Sequence, residues 1–266
     1  MRLLMTIGLL IIGMGMSAQV ATHNTTASGY YSTAMGAETI ASGDYSTAMG
    51  NQTRASGEGS TAMGVFTTAS GDASTAMGVF TTASDYVSLS IGIWNKSNAT
   101  VTSGGSATQF STNNTAFVIG NGTASYARSD AFKVMFNGDA TVSRDLTVNG
   151  VVNTSSDARL KTDIMSLGGT LAKLLLIDGK SYTTKKDGRQ TIGVLAQDIQ
   201  EVFPELVTTD DNDMLAVNYQ GLVPVLINAL KEQQVEIETQ QAEIDKLKKQ
   251  EERLARLEAM IAEMNK

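Results

Sequence analysis

The sequence predicts a mainly β, fibrous N-terminal part followed by an α+β domain that ends in a long coiled-coil helix. Three observations support this prediction. A fourteen-residue repeat occupies much of the first half, apolar residues recur every seven positions near the C-terminus, and charge density differs between the halves. Residues 21–150 carry 8 acidic and 5 basic side chains, whereas residues 151–266 carry 19 and 14. We therefore place the boundary between the two parts within the stretch 151–164.

The first nineteen residues have the organisation of a secretory signal peptide. One arginine precedes an apolar run from Leu3 to about Met16, small residues follow it, and we expect cleavage near Ala18–Gln19. The alternative, an uncleaved membrane anchor, needs roughly 20 apolar residues, and this run is shorter and interrupted by glycines. We expect residues 1–19 to be removed and residues 20–26 to form a linker. The chain would then be exported to a bacterial surface or the extracellular space, with no membrane span after signal removal.

Residues 27–96 consist of five blocks of fourteen residues. The recurrent "STAMG" alternates small and larger side chains as a short strand does, and two recurrent glycines punctuate each of the first four blocks as turns would. This pattern predicts one coil of a β-solenoid per block. The alternative is a disordered linker, but the Met and Ala positions keep register over four blocks, so we assign them to the core. The blocks are "ASGYYSTAMGAETI", "ASGDYSTAMGNQTR", "ASGEGSTAMGVFTT", "ASGDASTAMGVFTT" and "ASDYVSLSIGIWNK".

The small side chains of this repeat predict self-association. Apolar burial contributes about 25 cal/mol per Å², which hardly offsets roughly 1–2 kcal/mol of backbone entropy per residue in such a thin roll. Several identical rolls side by side would supply the missing burial. "ASGDYSTAMG" and "ASGDASTAMG" also resemble the head repeats of trimeric autotransporter adhesins, and this resemblance implies a homotrimer of left-handed parallel β-rolls.

The next section, residues 97–155, is predicted to be a β-rich stem. Apolar pairs alternate there with the turn signals "GNG", "NGD" and "NG". This section resembles the interwoven β-stem of trimeric phage fibres. We interpret "GNG" as a turn and not as a phosphate-binding loop, because no helical pattern follows it.

Residues 156–266 have the pattern of an α+β domain. We expect a helix around Leu167–Leu176, and then a strand entering a short helix that Pro204 ends. A coiled-coil helix should start at about residue 223, with Gln233 and Gln240 in two otherwise apolar positions and a register break between Leu254 and Leu257. The alternative is a solvated single helix. The apolar positions spaced by seven are Leu230, Ile237 and Ile244, and then Leu247, Leu254 and Ile261.

Three motifs in this half resemble the C-terminal intramolecular chaperone of endosialidase-type tailspikes. They are "SSDARLKTDI", "IGVLAQDIQEVFPELV" and "AVNYQGLVPVLINALKEQQ", in that order. The resemblance implies a domain that assembles three chains and then cleaves itself off immediately before a serine. It places the nucleophile at Ser156, the lysine at Lys161, and the cleaved bond between Ser155 and Ser156.

The residue inventory is compatible with this chemistry. The chain has no cysteine and a single histidine, His23, in the predicted linker, so a serine needs another base. Lysine can act as that base when desolvation lowers its pKa. Ser156 and Lys161 are five residues apart, so they would not share a helix face and must meet through a turn, a loop or a neighbouring subunit. Alternatively, Ser156 or Asp157 caps a helix and Lys161 is solvated; we assign Asp157 to capping or orientation.

The preferred interpretation is an exported, homotrimeric, fibre-like surface protein with a self-cleaving serine peptidase domain that acts as an intramolecular chaperone. The alternative is a trimeric adhesin in which the domain stays attached as a cap. A glycan-degrading tailspike or a peptidase acting on other chains is less compatible with the sequence. We expect no cofactor and no metal, and the net charge of −7 argues against nucleic acid as a partner. The sequence leaves open what the fibre binds.

Overall fold

The computed structural model describes residues 22–96, 101–210 and 213–264. These residues divide into two compact units, with the division between Asn153 and Thr154. The predicted signal peptide, residues 1–19, lies outside the described residues. Among the helices in the described ranges, none combines the length and apolar character that crossing a bilayer requires.

The first unit is a β-solenoid of about five coils, which confirms the predicted roll. Each coil contributes one long and one short strand, and equivalent strands pair in parallel at an offset of fourteen residues, as Thr47 with Thr61 shows. The long strands are Thr33–Ala37, Thr47–Asn51, Thr61–Val65, Thr75–Val79 and Leu89–Ile93. The short strands are Thr26–Ala27, Ile40–Ala41, Arg54–Ala55, Thr68–Ala69 and Thr82–Ala83.

The core of the solenoid is a ladder of alanines flanked by serine and threonine. Seven alanines, each 0–1% exposed, line the space between the two sheets: Ala41, Ala48, Ala55, Ala62, Ala69, Ala76 and Ala83. The prediction that the repeat's methionines belong to this core is wrong for the single chain. Successive side chains of a strand point to opposite faces, so a buried Ala48 places Met49 on the outer face. Met77 on that face is 38% exposed.

The predicted β-rich stem begins with three strands that extend the solenoid. Thr115–Asn121 pairs in parallel with Leu89–Ile93, and Asp130–Met135 and Ala140–Val142 follow in antiparallel order. Residues 143–153 contain no strand and are exposed. The described residues between 101 and 142 therefore contain strands as expected, but these strands close the end of the head sheet. Interweaving with other chains stays a prediction.

Two buried polar residues close this end of the solenoid. The side-chain amide of Asn95 donates to the Thr82 carbonyl at 2.9 Å and accepts from the Thr82 amide at 2.7 Å, as a further strand would. The carboxylate of Asp85, 3% exposed, accepts from the backbone amides of Thr102 and Thr115 and from the Thr102 hydroxyl. These contacts satisfy backbone groups that the last coil would otherwise leave unpaired.

The second unit is a mixed α/β region that ends in a long helix, as predicted. The helix expected around Leu167–Leu176 spans Thr170–Leu174, and the short helix before Pro204 spans Ala196–Val202. Two antiparallel hairpins pair Lys180–Thr183 with Gln190–Gly193 and Val207–Thr209 with Leu215–Val217. Short 3₁₀ turns cover Ala158–Leu160, Pro204–Leu206 and Tyr219–Gly221, and the last helix covers Leu222–Met264.

Only the first turns of the long helix contribute to the core of this unit. Val225 packs with Ile199, Phe203 and Leu206 in a buried cluster. Every residue from 233 to 264 is exposed, including the apolar residues spaced by seven. A 43-residue helix is roughly 65 Å long at 1.5 Å per residue. The single chain therefore leaves a long apolar seam without a covering element among the described residues.

One carboxylate joins the long helix to the short one. Glu232 accepts hydrogen bonds from the backbone amides of Thr170 and Leu171 and from the Thr170 hydroxyl, each at 2.9 Å. These bonds, led by that from the Leu171 amide, lower the pKa of the Glu232 carboxyl. The acid thus replaces a capping side chain, since the preceding Gly169 has none.

We expect Glu232→Gln to destabilise this unit in a pH-dependent way. A carboxyl group with a lowered folded-state pKa adds stability above its unfolded pKa and loses it as the pH falls through the folded value. The difference in urea midpoint between wild type and variant should therefore be largest near neutral pH and shrink below about pH 4. Glu236→Gln, an exposed position one turn further along the helix, is the matched control. A difference that does not change with pH would contradict this role.

Candidate active site

The predicted site residues lie on an exposed segment organised by one short turn. Asp157 has extended backbone angles, φ −62° and ψ 133°, and its carboxylate accepts from the Arg159 amide at 2.9 Å. The amides of Leu160 and Lys161 donate to the carbonyls of Asp157 and Ala158, both at 3.1 Å. Asp157 is therefore the N-cap of the 3₁₀ turn Ala158–Leu160, which matches its assignment to capping.

This turn brings Lys161 back to Ser156. The Lys161 Nζ donates to the Ser156 Oγ at 2.8 Å and to the Ser156 carbonyl oxygen at 3.2 Å. Within a single chain, the two residues meet through a turn. The two atoms are within the distance at which a neutral lysine could accept the serine proton, although here the lysine is the donor.

An ion pair lies between these two residues in sequence. The Arg159 guanidinium donates from Nε and Nη2 to both carboxylate oxygens of Asp157, with a shortest distance of 2.6 Å. The side-chain hydrogen bond from Arg159, assisted by that from its amide, lowers the pKa of the Asp157 carboxyl. The same pair raises the pKa of the Arg159 guanidinium.

The site is open in the single chain. Ser155, Ser156 and Lys161 are all exposed, so the described part of their own chain does not cover the lysine, and a lysine base needs desolvation. Large apolar side chains beside them are exposed as well: Leu160 at 73%, Ile164 at 69% and Met165 at 84%. An uncovered apolar segment of this kind is typical of a surface that another chain covers.

The sequence analysis missed one residue that fixes this segment. The Thr154 hydroxyl donates to Gln220 Oε1 at 3.0 Å, which ties the residues before the predicted cleavage site to the turn Tyr219–Gly221. Gln220 lies inside the motif "AVNYQGLVPV". Membership of that motif is the one feature of the sequence that could have pointed to Gln220. Within the described ranges, no group of three or more His, Asp or Glu side chains is arranged to hold a metal ion.

Comparison with protein families defines the class. Residues 156–208 match the family described as chaperone of endosialidase. Residues 27–53 and 55–81 match two copies of the YadA head domain repeat. Both resemblances inferred from the sequence are thereby confirmed. The chain thus carries two segments similar to the YadA head repeat and one segment similar to the chaperone of endosialidase.

Two relatives among phage proteins are similar to part of the chain. The long tail fiber protein Gp37 of Salmonella phage S16 is 33% identical over 126 residues, covering 43% of this chain and 15% of the relative. The Gp37 protein of Escherichia phage AR1 is 32% identical over 87 residues, covering 29% and 8%. The chain thus matches only a small share of each tail fibre, and the similarity supports a fibre-like surface protein.

Proposed function

We propose that this chain is an exported, fibre-forming surface protein whose C-terminal unit assembles three copies and then cuts itself off between Ser155 and Ser156. The observation that carries the proposal is the 2.8 Å hydrogen bond from Lys161 Nζ to Ser156 Oγ, inside the segment that matches the chaperone family. The head repeats and the tail-fibre relatives support the fibre-like part of the proposal.

The proposed cleavage is an acyl shift followed by hydrolysis. Neutral Lys161 takes the proton from the Ser156 hydroxyl, and Oγ attacks the carbonyl carbon of Ser155. The C–N bond breaks, and the Ser156 nitrogen leaves as an amine that receives the proton from the Lys161 ammonium. Water then hydrolyses the ester, which frees the Ser155 carboxylate and regenerates the hydroxyl. The reacting groups belong to adjacent residues, so proximity supplies much of the rate acceleration.

Assembly would allow Lys161 to lose its proton and act as a base. Desolvation disfavours an ammonium ion, and a second copy that covers Leu160, Ile164 and Met165 would exclude water from the adjacent Lys161. Cleavage would then follow trimer formation and not precede it. The order is useful because removing the chaperone after assembly leaves the fibre without its folding catalyst, so the fibre is kinetically trapped.

The homotrimer would use two apolar surfaces that the single chain exposes. One is the outer face of the long strands, where methionines recur in register from Met35 to Met77. The other is the seam of the helix Leu222–Met264, where Ile237 and Ile244 are 51% and 45% exposed. Three copies would bury both.

The first test replaces each site residue. Ser156→Ala should abolish release of the C-terminal fragment, and Lys161→Ala should slow release by at least about 100-fold, the usual contribution of a general base. Full-length protein is expressed, fragments are separated on a denaturing gel, and the C-terminal fragment is sequenced from its N-terminus. It should begin Ser156-Asp157-Ala158.

The matched control is Ser155→Ala, which removes the neighbouring hydroxyl but keeps the carbonyl that is attacked. This variant should be cleaved at the same bond as wild type. A fragment with an unchanged start in the Ser156→Ala variant would overturn the assigned nucleophile.

The alternative function is a trimeric adhesin that keeps the domain as a cap. It is favoured by the capping geometry of Asp157, which an ordinary helix start also produces. A single full-length band from a protein that is trimeric in solution would support this alternative and exclude self-cleavage.

A further inference from the structure

We infer that the Asp157–Arg159 ion pair is a positioning device for Lys161, which shapes the turn and keeps the Asp157 carboxylate away from the lysine. The inference rests on the proposed self-cleavage, in which Lys161 must lose its proton to act as a base. It assigns roles to two residues that do not touch the reacting atoms.

The first role is geometric. The carboxylate of Asp157 holds the Arg159 amide at 2.9 Å, and the turn that follows places the Lys161 amide on the Ala158 carbonyl at 3.1 Å. From that backbone position the Lys161 Nζ reaches the Ser156 Oγ at 2.8 Å. The segment is exposed, so few packing contacts can stabilise the conformation of the turn. Its side-chain hydrogen bonds therefore contribute more of that stabilisation.

The second role is electrostatic. Asp157 lies four residues before Lys161, close enough in sequence for an unpaired carboxylate to attract the Lys161 ammonium. Such a contact would stabilise the charged lysine and draw it away from Ser156. The Arg159 guanidinium prevents this by occupying both oxygens of Asp157, at 2.6–3.1 Å. Lys161 is then left with Ser156 as its hydrogen-bond partner.

The charges around Lys161 are few. Within residues 154–165 the other acidic side chain is Asp163, and Arg159 is the other basic one. In the described part of the chain, the structure contains no ion pair between Lys161 and a side chain of any element. Asp157 is therefore one of two acidic side chains close to Lys161 in sequence, and its carboxylate is the one that Arg159 engages.

The test measures cleavage as a function of pH. Full-length protein is recovered uncut in denaturant and diluted into buffers from mildly acidic to alkaline pH, and fragment release is followed on denaturing gels. Arg159→Gln should free the Asp157 carboxylate. We expect its pH midpoint for cleavage to rise by about one unit and its rate at neutral pH to fall about tenfold.

A double variant separates charge from turn geometry. Asp157→Asn with Arg159→Gln removes the freed carboxylate, so the pH midpoint should return to that of wild type while the rate stays low. Asp157→Asn alone keeps a good capping side chain and should leave the midpoint unchanged. Lys186→Gln, which removes one positive charge on an exposed hairpin turn, is the control for net charge and should behave as wild type.

Each outcome decides the inference. An Arg159→Gln profile that coincides with wild type would overturn it. If that variant forms trimers but is uncut at every pH, recovered cleavage in the double variant supports the inference and continued absence overturns it. The proposed self-cleavage fails separately, if Ser156→Ala still releases the fragment.

Discussion

Replacing Gly64 by alanine should strongly destabilise the head repeats. Gly64 has φ +122°, a backbone conformation that residues with a side chain rarely adopt. A Cβ there would lie 2.1 Å from the carbonyl oxygen of Gly78 in the next coil, which is backbone and has no rotamer by which to move away. The coils would have to separate, and the parallel hydrogen bonds on both sides of this position would lengthen or break.

The expected cost is large relative to the stability of the unit. Forced overpacking costs about 1–3 kcal/mol, and strained backbone adds about 1–3 kcal/mol. Natural domains have only about 5–15 kcal/mol in total. We expect the thermal midpoint of the head, followed by circular dichroism, to fall by more than about 10 °C.

Gly59→Ala is the matched control, because it is the same substitution in the neighbouring turn. Gly59 also has positive φ, +61°, but its added Cβ would meet nothing closer than the Ala73 Cα at 4.0 Å. The equivalent position one coil later is Ala73, at φ 54°. This variant should therefore fold as wild type. Equal losses in both variants would show that backbone strain, and not the spacing of the coils, makes Gly64 necessary.

The repeat explains how much of the head could be predicted. The fourteen-residue period and the position of "STAMG" are in the sequence, and they gave two strands per coil in the observed order. The assignment of both the Ala and the Met positions to the core was the part that failed. Alternation requires Ala48 and Met49 to lie on opposite faces, but it does not say which face is inside. In the structure the alanines form the core between the two sheets, and Met49 lies on the outer face.

The burial of Asn95 and Asp85 at the end of the solenoid could not be predicted from the sequence. Asn95 and Asp85 are buried because they replace backbone partners missing from the last coil. Such substitution depends on where the coil stops in space. From sequence alone, an Asn or Asp in a glycine-rich region is equally typical of an exposed turn.

Motif resemblance located the candidate site, but the geometry of the site could not be predicted from the sequence. A spacing of five residues is compatible with a turn, a loop or a second chain. The contact between Lys161 and Ser156 depends on a 3₁₀ turn that begins at Asp157. The expected burial of Lys161 is not provided by its own chain, which is the physical reason for linking cleavage to assembly.

Replacing Ile244 by aspartate should prevent both assembly and cleavage. Ile244 lies seven residues after Ile237 on the exposed seam of the long helix and is 45% exposed in the single chain. Losing a buried isoleucine costs at least about 2 kcal/mol per chain. Three chains would lose about 6 kcal/mol, which weakens trimer formation roughly 10⁴-fold. Three buried carboxylates would weaken it further.

The expected result is a chain that sediments as a monomer and gives one full-length band on a denaturing gel. Ala242→Asp is the matched control, because it adds the same charge two residues away, at an exposed position off the seam. Alanine is the best helix former, so replacing it costs more helix propensity than replacing isoleucine does. Helix propensity alone would therefore destabilise the helix more in Ala242→Asp than in Ile244→Asp. Ala242→Asp should nevertheless assemble and cleave. An Ile244→Asp monomer that still cuts at Ser156 would show that cleavage does not need a second chain, because its isolated Lys161 would then be acting as the base without cover from another copy.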